Sequence, residues 1–340
     1  MSIPTGDGKS AGPAEPTGRV GPVRAADYDG HHITVSADDG TPLAVREFGP
    51  SDAPLTVVFV HGHCLRADSW SLVCEQLLSH GEWSGGGARM VRYDHRGHGA
   101  SGASDPAAYT IDQLGRDLDA VLRAVAPAGP VVLVGHSMGA MVVLAYARLF
   151  PAAIGTRVAG IGLIAAAAGG IAHVGLARFL NRHTVTSLQV AVRRAPRVMQ
   201  ASKRFSRHLF EPIIREASFG TRAVSPRMLA LATTMINDTP LLTMACFLDS
   251  LIRFDENSTL RLLADLPTLV LAGSADILIP FAHSVVLASQ LSGAELVRLD
   301  GAGHSVILER PQEVAVAVVA LVERARGATS GPGTALAAAG

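Results

Sequence analysis

The sequence predicts an α/β fold: a mostly parallel sheet with helices on both faces and one helical insertion late in the chain. Three observations carry this. Short unbroken apolar runs, such as Leu55 to Val60 and Val131 to Val134, suit strands buried on both faces. Helical segments alternate with them, most clearly Ile111 to Ala126, where Leu114, Leu118, Val121, Leu122 and Val125 share one face and Asp112, Arg116, Asp119 and Arg123 the other. The alternation lapses from Gly169 to about Asp255, a stretch of helical segments without a strand of comparable quality.

Residues 1 to 25 are threaded with Gly, Pro and small polar residues, the composition of a disordered leader, and lack the apolar core of a signal peptide. Gly8-Lys9-Ser10 falls short of a phosphate-binding loop, because Ile3 stands where that pattern needs glycine. His32 to Ser36 and Leu43 to Phe48 flank Asp38-Asp39-Gly40 as a hairpin whose turn tolerates positive φ. The Leu55 strand ends in His61-Gly62-His63, a helix is expected over Ser69 to Leu78, and a strand over Met90 to Tyr93 runs into the stretch Asp94 to Ser101. Further strands are expected at Val131, over Val158 to Ala166, at Thr268 to Ala272 and at Glu295 to Leu299, with a last helix from Pro311 to about Arg326. The expected division is a leader of 1–25, a core of 26–168 and 256–326, a helical insertion of 169–255 and a disordered tail of 327–340.

The chain is organised around Gly135-His136-Ser137-Met138-Gly139, which lies between the Val131 strand and a segment of helix-forming composition from Met138 to Leu149. Strand, sharp turn and helix are the context of a nucleophile elbow, in which flanking glycines spare the turn two Cβ clashes. The same pattern occurs at Gly8 to Gly12, but without a strand before it or a helix after it, so context selects Ser137 over Ser10.

Composition excludes several classes. The chain has 340 residues, 48% of them hydrophobic, and its 29 basic residues balance 29 acidic ones, which gives no support for nucleic acid as a partner. Cys64, Cys74 and Cys246 are odd in number and lack Cys-x-x-Cys spacing, which argues against a disulfide framework or a zinc site and fits a reducing, cytoplasmic setting. The most apolar run, Val158 to Ala172, is too short to span a bilayer. No cofactor or metal motif is present.

Five motifs in this order resemble the α/β-hydrolase family over roughly residues 31 to 326: His61-Gly62 after the third strand, the Asp94 to Ser101 run after the fourth, the Ser137 elbow, Asp276 after the Thr268 strand, and His304 after the last. The resemblance implies a triad in the chain order Ser, Asp, His, here Ser137, Asp276 and His304. A serine hydroxyl needs a base within hydrogen-bond reach, for which His304 is the candidate, and the imidazolium that forms needs a counter-charge, for which Asp276 is the candidate. No carboxylate occurs between Val158 and Ala172, so the alternative acid position of some members is vacant. By the same resemblance the oxyanion donors are the backbone N–H groups of His63 and Met138. His61, Asp94, Arg96 and His98 read as loop-shaping, Cys64 as a small buried hydrophobe, and His136 as a support beside the serine.

The implied chemistry is acyl transfer through a serine ester. Haloalkane dehalogenases and epoxide hydrolases of this family carry aspartate at the elbow, and prolyl aminopeptidase-like members carry Gly-Gly-x-Gly where His61-Gly62-His63-Cys64 stands. The insertion resembles the helical cap of the family. Its apolar pairs, such as Phe179-Leu180, Met228-Leu229 and Met235-Ile236, and its run from Met244 to Ile252 suit an apolar pocket or the packing of the cap itself. The leading reading is a cofactor-free serine esterase, lipase-like, acting on a small or medium apolar ester. Open beside it are a cofactor-free perhydrolase of the haloperoxidase-like branch, an acyltransferase or thioesterase, and a ligand receptor that keeps the fold. From Gly169 to Phe210 no acidic residue occurs while eight lysines and arginines do; this run could meet an anionic substrate or a membrane surface, or be a solvated helix face.

Overall fold

A computed structural model of the protein describes residues 30–79, 83, 87–171, 182–195, 197–200, 203, 215–220 and 224–329. The expected leader, residues 330–340 of the expected tail, and Phe179-Leu180 lie outside the described residues.

The hairpin forms as β1 (His31–Ser36) and β2 (Pro42–Phe48), paired antiparallel, with Gly40 at φ 82° in the turn. Then follow β3 (Thr56–Val60), α1 (Ser71–Ser79), β4 (Arg89–Tyr93), α2 (Ile111–Val125), β5 (Val131–His136), α3 (Met138–Leu149) and β6 (Val158–Ile164). Between β6 and the next strand the described residues include the helices α4 (Arg182–Arg194), α5 (Pro226–Asp238) and α6 (Leu241–Ile252), with shorter helical pieces at 197–200 and 215–218. The sheet resumes with β7 (Thr268–Gly273), followed by α7 (Ala282–Ser289), β8 (Ala294–Leu299), the short α8 (Val306–Glu309) and α9 (Pro311–Thr329). The last helix ends three residues beyond the expected end at about Arg326. It runs on through Gly327 to Thr329, because Val314, Val318, Leu321, Val322 and Ala325 pack it onto the sheet to within a turn of that end.

The eight strands are ordered β1-β2-β4-β3-β5-β6-β7-β8, antiparallel at β1-β2 and β2-β4 and parallel from β4 onward. Every residue of β3, β5, β6 and β7 is buried, as two-sided burial of parallel strands requires. Two apolar clusters fill the two faces. One joins α2 and α3 to the sheet through residues such as Leu118 and Leu144; the other joins α1 and α9 through Trp70, Leu77 and Val318. From β3 the chain steps to β4 on one side and later to β5 on the other, so the crevice beyond the carboxyl ends of β3 and β5 is a topological switch point, where open α/β sheets place their ligands.

The stretch between β6 and β7 leaves and re-enters the core at one point. Gly169 and Asp255 form an isolated antiparallel bridge, and the Glu256 N–H donates to the Ala168 carbonyl at 2.6 Å. Among the described residues no helix is long and apolar enough to cross a membrane, and the three cysteines are buried and unpaired with one another.

Candidate active site

Ser137 sits between the end of β5 and the start of α3 with φ 54° and ψ −119°, a conformation that costs a non-glycine residue strain and persists only where its surroundings impose it. The flanking glycines are required for space. A Cβ on Gly135 would overlap the backbone of Gly139 and Ala140, and one on Gly139 would overlap the Val60 carbonyl oxygen at the end of β3. This close approach brings the elbow against the His61-Gly62 loop. Gly139→Ala is therefore expected to destabilise the fold by about 3 kcal/mol, as overpacking does, and to weaken activity with it; a urea midpoint equal to wild type would contradict the tight elbow.

The last turns of the sheet bring the three expected residues into line. The Ser137 hydroxyl lies 2.9 Å from His304 Nε2, and His304 Nδ1 lies 2.8 Å from Asp276 Oδ2. Asp276, on the turn after β7, also accepts backbone N–H bonds from Leu278 and Ile279, both 2.9 Å, at its other oxygen. Its carboxylate is thus oriented from both ends while nearly sealed from water, at 5% exposure. The Met138 N–H opens α3, where first-turn donors have no intrahelical partner. Neither it nor the His63 N–H is spent on a loop or cap hydrogen bond among the described residues.

A chain of buried imidazoles holds the loop that carries His63. His61 Nδ1 donates to the Gly62 carbonyl at 2.8 Å, and its Nε2 accepts the His95 N–H at 2.9 Å. His95 Nε2 donates back to the His61 carbonyl at 3.0 Å. His98 Nδ1 donates to the Arg96 carbonyl at 3.1 Å and its Nε2 accepts the Cys64 N–H at 3.3 Å. In His61 and His98 one nitrogen donates to a carbonyl and the other accepts an N–H, which fixes one proton per ring and a neutral imidazole. Burial holds His61 down to about 4 and His98 to about 3, and pushes His95 well below the ordinary range. Both ring nitrogens of His61 and His98 are thus committed to backbone groups. Asp94 braces the same loops by accepting the Ala67 and Ala100 N–H groups, and Arg96 makes a fully buried two-pronged pair with Asp117, both bonds 2.6 Å.

The sequence reads His136 as a support beside the serine, without showing what it supports. In the structure its Nε2 donates to the His304 carbonyl at 2.9 Å, and burial holds the ring at about 3, neutral. Sequence reasoning missed Glu309. Its carboxylate accepts the Gly303 N–H at 2.8 Å and the Gly220 N–H at 3.0 Å, and the Ser305 N–H donates to the Ser218 carbonyl at 2.7 Å. The His304 loop is thereby clamped between α8 and a piece of the insertion. An acid two residues before Pro311 has nothing in the local sequence to mark that task.

Above Ser137 lies a cavity of about 310 Å³. Among the described residues that line it, none is Asp, Glu, Lys or Arg. The insertion supplies Ala232 and Ile236 from α5 and Leu248, Leu251 and Ile252 from α6; Met141 and Ile279 come from the core. Of the apolar insertion residues singled out in the sequence, Ile236 and the end of the Met244 run face the cavity, whereas Met235 and Phe247 are buried in the core packing. Cys64 lines the cavity too, its thiol pushed up to about 12 by burial, which keeps it protonated and unreactive. A neighbouring polar cavity of about 440 Å³ shares Leu65, but its charged groups pair among themselves, Arg46 and Arg66 with Asp68 and Arg66 with Asp238, and it contains no member of the Ser137 line.

The family model for the alpha/beta hydrolase family matches residues 57–318. The chain belongs to this family. Among its curated relatives, a probable oxidoreductase EphD of Mycobacterium tuberculosis is 36% identical over 115 residues, which are 34% of this chain and 18% of that protein. A non-heme chloroperoxidase of Streptomyces lividans is 36% identical over 126 residues, 37% of this chain and 42% of that one. The chain thus spans less than half of the length of either. Among solved structures, a thermophilic esterase from Thermogutta terrifontis superposes with TM-score 0.68 at 22% identity, over 87% of this chain and 99% of that one. A bromoperoxidase from Bacillus anthracis gives 0.67 at 19%, over 86% and 100%. At these identities the likeness is one of fold, and it covers the whole of those chains.

Proposed function

We propose that the protein is a cofactor-free serine hydrolase that cleaves carboxylic esters with an apolar acyl or alcohol part. The observation that carries the reading is the unbroken line from Ser137 through His304 to Asp276 at 2.9 and 2.8 Å beneath an uncharged cavity. In the proposed cycle His304 Nε2 takes the Ser137 proton as the oxygen bonds to the ester carbonyl carbon. The charge that develops on the carbonyl oxygen is met by the His63 and Met138 N–H groups. Collapse expels the alcohol, which leaves with the proton from His304; water then repeats the sequence on the acyl-enzyme and frees the acid and Ser137. The 169–255 insertion acts as the cap, since α5 and α6 supply the apolar roof that sets acyl size.

A second reading, peroxide in place of water as acyl acceptor, is favoured by the identity to the chloroperoxidase over 126 residues. The two part in one experiment. With p-nitrophenyl esters from acetate to palmitate, hydrolysis should peak at short to medium chains that fit about 310 Å³ and fall away for the longest. Adding hydrogen peroxide and bromide to a carboxylate buffer should yield little bromination. Bromination faster than ester cleavage would transfer the conclusion to the perhydrolase reading, and no cleavage, no bromination and no labelling by a fluorophosphonate would overturn both.

A further inference from the structure

The chain is neutral overall, yet its charge is not evenly spread: between Gly169 and Phe210 eight lysines and arginines occur and no acid. The structure describes the middle of this run. On α4 and the helical piece at 197–200, Val185 and Val192 are buried, and Gln189 Nε2 donates to the Ala245 carbonyl of α6 at 3.0 Å, which fixes the inward face. The exposed positions are Thr186, Ser187, Val190, Ala191, Arg193, Arg194, Arg197 and Val198, among which Thr186, Val190, Arg193 or Arg194, and Arg197 recur three to four apart. Val190 is 41% and Val198 69% exposed. Arg193, Arg194 and Arg197 have no carboxylate within ion-pair distance among the described residues; exposed Arg116, Arg227 and Arg261 have none either, but here three such arginines fall within five positions, whereas Arg46, Arg123, Arg148, Arg253 and Arg298 are each paired.

A favourable helix dipole accounts for Arg193 and Arg194 in the last turn of α4. It accounts neither for Arg197 beyond the helix nor for the exposed valines between the charges. Lys203 from the same run is differently used, its Nζ donating to the carbonyls of Ile236 and Thr239 at the end of α5. We propose that the outward face of α4 and the helical piece at 197–200 is a docking surface for a membrane of anionic phospholipid. Charge complementarity selects the lipid headgroups, and two aliphatic side chains among three exposed guanidinium groups without a carboxylate partner among the described residues suit the headgroup boundary better than a fully hydrated polyanion. The surface is one helix removed from the active-site cavity, because α4 packs on α6, which lines it. Docking would hold the apolar cavity close to acyl chains.

Co-sedimentation of the full chain with phosphatidylcholine vesicles, with and without 30% phosphatidylglycerol, tests this without any reference to ester cleavage. Binding to the anionic vesicles is expected to exceed that to neutral ones at least tenfold and to fall as salt rises. Each basic residue near such a surface is worth about a fivefold change in partitioning, so the triple variant Arg193→Glu, Arg194→Glu, Arg197→Glu should lose about 100-fold or more. Val190→Ser with Val198→Ser should lose several-fold. Both variants should cleave a short water-soluble ester at the wild-type rate, which also shows that they are folded. Equal binding to the two vesicle types, no binding, or binding unmoved by the arginine reversals would overturn the proposal. So would loss in the arginine variant with full binding in the valine variant and matching retention on heparin, the pattern of a polyanion patch.

Discussion

Replacing Ser137 with alanine is expected to cut ester hydrolysis by about 10⁵- to 10⁶-fold while the protein stays folded. The magnitude follows from what is lost and what remains. The covalent route disappears with the hydroxyl, but the cavity and the two N–H donors still bind an ester and polarise it, so some rate above that in water persists. The fold should survive because alanine is the smaller side chain and the strained φ of 54° is imposed by the Gly135 and Gly139 contacts rather than by the hydroxyl; its thermal midpoint should shift by no more than a few degrees. Asp276→Asn should cost about 10⁴-fold, since an amide cannot hold the His304 ring in the tautomer that accepts a proton at Nε2. Titration with a fluorophosphonate checks the assignment apart from turnover: wild type should be labelled once per chain and Ser137→Ala not at all. Labelling of the alanine variant, or turnover within tenfold of wild type, would move the nucleophile elsewhere.

Much of the site could be read in the sequence because its chemistry is tied to chain geometry. Gly135 and Gly139 announce a close backbone approach that admits no Cβ, and Asp276 and His304 each follow a strand of the parallel sheet, so all three side chains must emerge at its carboxyl edge. The strands themselves were legible for a related reason: short unbroken apolar runs suit the interior of a parallel sheet, although their order across it was not read. What stayed hidden depends on contacts between segments far apart in the chain. The bond from His136 to the His304 carbonyl spans 168 residues, and Glu309 reaches back 89 residues to Gly220. Neither has a spacing that a single sequence can display. The cavity lining was hidden in a different way. Leu248 and Phe247 are adjacent apolar residues of α6, yet one faces the cavity and the other the core, a distinction set by how the insertion docks.

Lowering the pH from 7 toward 4 is expected to unfold this protein abruptly, through the imidazoles that shape its active-site loops. His61, His95, His98 and His136 are all at most 1% exposed. Burial pushes each below the ordinary histidine range, to about 4 for His61, about 3 for His98 and His136, and lower than usual for His95 as well. Above about pH 6.5 the rings are neutral in both the folded and the unfolded chain, and proton uptake does not affect stability. Below it the unfolded chain takes up protons that the folded one refuses, so each histidine removes about 1.4 kcal/mol of stability per pH unit until its folded value is reached. Four acting together would exhaust a typical 5–15 kcal/mol within about one to three units below pH 6.5, which puts the midpoint of acid unfolding between about pH 5.5 and 4. Asp94, Asp117 and Glu309, which burial raises, act in the opposite direction, but only near the carboxylate range at the bottom of that window. Thermal midpoints followed by circular dichroism from pH 8 to 4 measure the effect. His98→Gln, which can still accept the Cys64 N–H but does not titrate, should make the decline shallower by about one histidine's share. A midpoint that stays level from pH 7 to 5 would mean that these rings take up protons in place, and that the bonds His61, His95 and His98 make to the oxyanion-side loop are not what holds it.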